Sequence, residues 1–130
     1  MGKEQKRNFK FVNYTVTESQ SSALLRTRER LARGFEPLSI SVLLEWFFLR
    51  VKHANKDPRL KIELDLIEFC RGFEYPDDPS SQRTGARLDR IVVDWIVATT
   101  KQTANTGLSA VLSFMAKSEK KILSDKFWAN

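Results

Sequence analysis

Nine of the thirteen residues from Ile40 to Lys52 are large and apolar: Ile40, Val42, Leu43, Leu44, Trp46, Phe47, Phe48, Leu49 and Val51. At about 1.5 to 3 kcal/mol for each large side chain taken out of water, they represent roughly 14 to 27 kcal/mol of gross burial free energy. The stretch also contains Glu45 and Arg50 and falls well short of the roughly 20 residues that span a bilayer. It therefore reads as a core helix over about Ser41 to Ala54. With almost no polar face, this helix is expected at the centre of the fold, covered nearly all round by its own domain or partly by another subunit.

The flanking segments carry helix punctuation. Thr17 and Gln20 stand in capping-box spacing and Gly34 can close the chain in the left-handed conformation, which predicts a helix over Glu18 to Arg33. Asp57, Pro58 and Gly72 frame a third helix as side-chain cap, first-turn proline and terminal glycine. Its apolar row is Ile62, Leu66, Phe69 and Phe73, although the alternation of Ile62, Leu64 and Leu66 offers a competing strand reading. A fourth helix over Ala86 to Thr100 turns Leu88, Ile91, Val92, Trp95 and Ile96 inward and Arg87, Arg90 and Asp94 outward. After a break near Asn105 to Gly107, a last helix buries Leu108, Val111, Leu112 and Met115 and exposes Lys117, Lys120 and Lys121. Glu74 to Gly85, rich in acids, proline and serine, is expected to be a long mobile loop.

The predicted fold is mainly α, with about five helices packed as an irregular bundle around the central apolar helix. An extended arm or short strand at residues 1–17 precedes a single helical domain at residues 18–130. At 130 residues the chain is long enough to bury a core without staples.

Charge is unevenly distributed. Residues 1–34 carry eight Lys or Arg against three Glu, residues 35–82 six against nine acids, and residues 83–130 eight against four. Two basic ends flanking an acidic middle suit a polyanion, or the docking of one subunit's end on another's waist. In the arm, Lys6, Arg7 and Lys10 interleave with Phe9, Phe11 and Tyr14, the mixture of cations and aromatics that single-strand binders use. Arg26, Arg30 and Arg33 fall at i, i+4 and i+7 and so share one helical face. Its charge exceeds what Glu29 can neutralise. A lone strand in the arm needs a partner, expected to be a second copy of the chain or a bound ligand.

Catalytic and metal chemistry find little support. His53 is the single histidine and Cys70 the single cysteine, seventeen positions apart, too few for a Cys/His zinc site or nucleophile. Cys70 reads as a small buried hydrophobe, which points to a reducing, intracellular compartment. The five glycines are scattered, with no phosphate-cradling loop. Asp77 followed by Glu119 and Lys121 echoes the acids and lysine of metal-dependent nucleases, but a helical run points Glu119 and Lys121 apart.

The order strand, helix, helix in about a third of the chain is similar to ribbon-helix-helix DNA-binding proteins. That resemblance implies two arms from two copies paired as a ribbon in the major groove. The sequence thus predicts a soluble, non-catalytic, self-associating nucleic-acid-binding protein without metal, cofactor, membrane or small-molecule substrate. RNA is favoured over DNA, as in coat or nucleocapsid-like packaging. The expected contacts are Lys3, Lys6, Arg7, Phe9, Lys10, Arg26, Arg30, Arg33, Arg87, Arg90, Lys117, Lys120 and Lys121. The alternatives are an adaptor whose basic ends bind acidic proteins through the region of Trp46, Phe47 and Phe48, or a ribbon-helix-helix-like regulator.

Overall fold

The computed structural model describes residues 8–54 and 62–122, with the side chains of residues 53, 54, 121 and 122 outside the description. The chain runs β1 (Phe9–Val16), α1 (Glu18–Ala32), α2 (Ile40–Ala54), α3 (Ile62–Arg71), β2 (Gln82–Asp89), α4 (Arg90–Thr100), α5 (Ala104–Lys117) and α6 (Glu119–Ile122). The fold is mostly helical, with one two-stranded antiparallel sheet. No helix among the described residues is long and apolar enough to cross a membrane.

The arm becomes β1 because a partner strand lies far along the same chain. β2 pairs with it antiparallel, Phe9 opposite Asp89 and Val16 opposite Gln82. Both strands alternate: Val12, Tyr14 and Val16 with Ala86 and Leu88 face the core, while Phe11 and Arg87 face out. The expected second copy is therefore not what pairs with this strand, in contrast to the arm pairing that the ribbon-helix-helix resemblance implies. Residues 82–85, expected as loop, and Ala86 to Asp89, expected as helix, are strand instead. β2 has weak strand propensity of its own, and the open edge of β1 supplies what local preference lacks. The other edge of β1 is closed by α5, where the Asn13 N–H donates to Asn105 Oδ1 (3.2 Å) and the Thr15 N–H to Ser109 Oγ (2.9 Å). Covered edges do not template further pairing.

The remaining part of the predicted loop is tied down at both ends. Asp78 Oδ1 accepts from the Ser80 N–H and hydroxyl, the Ser80 Oγ accepts from the Glu18 N–H, and the Tyr75 hydroxyl donates to Thr106.

α1 follows the sequence closely. The Thr17 and Gln20 capping box is complete in both directions, and the chain leaves through positive φ at Arg33 (52°) and Gly34 (92°). α3 is helix rather than strand, with Ile62, Leu66 and Cys70 buried; its framing residues Asp57 and Pro58 lie outside the described residues. Burial pushes the Cys70 thiol up to about 11, as befits an interior hydrophobe.

α2 buries Leu43, Leu44, Phe47, Phe48 and Val51, with Trp95 set edge-on against both Phe47 and Phe48. It is not wrapped on nearly all sides, because Trp46 and Leu49 are 42% and 46% exposed. α5 is more enclosed, with every residue from Gly107 to Met115 buried and β1, α1, α3 and α4 packed against it. Small residues let the neighbours approach: a Cβ at Gly107 would lie 2.7 Å from Thr100 Oγ1 and 2.9 Å from Ile96 Cγ2. The expected break at Asn105 to Gly107 is instead the first turn of α5, capped by Thr103; the turn lies at residues 101–103. α4 likewise starts later than expected, at the Asp89 cap. Its buried face is Val92, Val93, Ile96 and Thr100, which leaves Ile91 62% exposed.

Candidate nucleic-acid interface

Period-two alternation sorts the ribbon's outer face. β1 contributes Phe9, Phe11, Asn13 and Thr15, and β2 contributes Arg83, Gly85 and Arg87. At about 3.4 Å per residue, Phe9 to Thr15 spans about 20 Å of extended surface. Phe11, opposite Arg87 in register, is 66% exposed. Its Cε1 and Cζ atoms occupy the space that a Cβ on Gly85 would fill, so the ring lies across the ribbon because residue 85 has no side chain. The Arg87 guanidinium stands 4.6 Å from the centre of the Phe9 ring, a cation–π contact at the end of the ribbon.

Three other groups of the predicted cations sit elsewhere. Lys10 is exposed on β1, and Arg90 is exposed at the start of α4, its N–H donating to the Asn8 carbonyl at 2.8 Å. Lys3, Lys6 and Arg7 lie outside the described residues. Arg30 and Arg33 are exposed at the end of α1. That end reaches the ribbon through Arg28, which exchanges hydrogen bonds with Leu38, and through Ser41, whose hydroxyl donates to the Arg87 carbonyl at 2.7 Å. Lys117 lies over the Phe69 ring at 5.5 Å and Lys120 is exposed on α6, while the Lys121 side chain is outside the description.

Arg26 does not join the others as a free cation. Its Nε and Nη2 bind the two carboxylate oxygens of Glu119 at 2.6 and 2.8 Å, a bidentate pair tying α1 to α6. The hydrogen bond from Arg26 holds the Glu119 carboxyl below the usual carboxylate range, and the same bond raises Arg26 further. Glu119 is thereby engaged in an ion pair rather than standing with Asp77. Among the described residues no group of three His, Cys, Asp or Glu is placed to hold a metal ion. By contrast, Arg30, Arg33, Arg83, Arg87 and Arg90 form no ion pair among the described residues.

Arg83 contributes to this surface without being among the expected contacts, whereas Phe11 figures in the sequence only as one of the arm's aromatics. The acids, prolines and serines of residues 74–85 mask Arg83, although Arg83, Gly85 and Arg87 recur with the period of a strand. No protein-family model, curated protein or solved structure matches the chain.

Proposed function

We propose that this is a non-catalytic protein that binds single-stranded nucleic acid along the outer face of its β-ribbon. The observation that carries the reading is the exposed Phe11 ring, held across Gly85 beside Arg83 and Arg87, two guanidinium groups without carboxylate partners among the described residues. Such a face supplies both terms of single-strand affinity: aromatic stacking, worth about 1 to 3 kcal/mol per base, and phosphate neutralisation. Arg90, exposed at the start of α4 where the ribbon ends, adds a further cation, while Lys10 stands on the opposite face of β1. Contacts made mostly to phosphate and to the faces of bases imply weak sequence preference, as packaging by a self-associating protein requires.

Fluorescence anisotropy with a mixed-sequence RNA oligonucleotide, titrated with salt, tests the reading. Release of about five counterions from a single strand gives a log-log slope of about −3 to −4. Phe11→Ala and Arg87→Gln each weaken binding while the melting temperature holds. A flat salt response would favour an adaptor instead. The exposed Trp46 and Leu49, three residues apart on α2, are the surface that such a partner would use.

A further inference from the structure

A cleft of about 530 Å³ opens at the far end of the ribbon's outer face, where Thr15 and Arg83 belong to both. Its other walls come from the segment before β2, with Tyr75 and Asp77, and from the start of α5, with Asn105 and Thr106. That volume is in the range of small-ligand sites. Four chemically different groups converge there. The Tyr75 ring, 47% exposed, is braced edge-on by Phe73 (centroids 5.4 Å apart) and by the hydrogen bond from its hydroxyl to Thr106 Oγ1 at 3.2 Å. Asn105 uses Oδ1 to accept from the Asn13 N–H, which leaves its amide NH₂ to donate. Arg83 brings a cation and Asp77 an exposed carboxylate, neither in an ion pair among the described residues.

We infer that this cleft receives one ribonucleotide of the bound strand, an assignment that rests on the single-strand reading above. The Tyr75 ring stacks on the base, the Asn105 amide donates to the base edge, and Arg83 meets the phosphate. Asp77 decides the sugar. A carboxylate beside a phosphate site repels the ligand unless it accepts a hydrogen bond from it, and within a strand the ribose 2′-hydroxyl is the donor that RNA has and DNA lacks. The cleft thus supplies an RNA preference that the ribbon face, reading only phosphates and base faces, has no means to provide.

The test compares a 5′-fluorescein-labelled eight-nucleotide RNA with the DNA of the same sequence, by anisotropy, on the full chain. Wild type binds the RNA more tightly. Asp77→Ala weakens RNA binding by about tenfold, the scale of a hydrogen bond to a charged acceptor, while DNA binding holds or tightens as the repulsion is removed. Tyr75→Ala weakens both, and a thermal melt of each variant confirms that it is folded. Equal binding of the two strands by wild type, or tightening of both by Asp77→Ala, would overturn the assignment. If Phe11→Ala weakens both strands but Asp77→Ala leaves their ratio unchanged, the ribbon reading stands and the cleft assignment fails. Binding of neither strand by wild type removes both.

Discussion

The Phe11 ring lies over Gly85, its Cε1–Cζ edge in the volume that any side chain at position 85 would need. The exposed aromatic and the bare backbone beneath it therefore form one unit, diagonal neighbours across the β1–β2 pairing that lie 74 positions apart in sequence.

Gly85→Ala is accordingly expected to separate binding from stability. The added methyl meets the far end of an exposed side chain, which can swing away, and alanine in a strand avoids glycine's entropic cost. The melting temperature should stay within a few degrees of wild type. Anisotropy should show RNA affinity falling toward that of Phe11→Ala, a loss of about 1 to 3 kcal/mol if one stacked base is lost.

Gly107→Ala should do the reverse. Its Cβ would meet Thr100 Oγ1 and Ile96 Cγ2 where α4 and α5 cross, and Thr100 is itself held by a 2.7 Å hydrogen bond to the Ile96 carbonyl. Overpacking at such a contact costs about 1 to 3 kcal/mol. Urea denaturation should show the midpoint falling with an unchanged slope.

The Arg26–Glu119 pair predicts a pH signature. The Glu119 carboxyl has a lower pKa in the folded protein than its ordinary 4.5, so its stabilisation is complete above the ordinary value and fades as pH falls through the depressed one. Wild type should melt above Glu119→Gln near neutral pH, and the gap should close as acidification carries the Glu119 carboxyl through its lowered pKa. A gap independent of pH would assign the effect to packing.

Asp89 marks where the ribbon becomes helix, its Oδ1 accepting from the Ile91 N–H at 3.0 Å. Asp89→Ala should lower stability by about 1 kcal/mol, the usual value of a lost N-cap, while Asp89→Asn should retain most of it. Chemical denaturation of the two variants provides the comparison.

Local chemistry alone determined the elements whose causes are local. The capping box of Thr17 and Gln20, the chain reversal at Gly34, the apolar content of α2 and the helical row of Ile62, Leu66 and Phe69 are all written within a few residues of where they act. The arm's alternation of Phe9, Phe11, Tyr14 and Val16 was likewise sufficient to propose a strand, and the excess of lysine and arginine near it to propose a polyanion. Tertiary structure alone decided that the strand's partner is Gln82–Asp89 and that α5, rather than α2, lies deepest. It also decided that Arg26 is neutralised by Glu119 while Arg83 and Phe11 join a common face. Strand pairing, ion pairing and depth of burial depend on groups that the chain brings together from distant positions, and periodicity records which face of an element is apolar, not what comes to cover it.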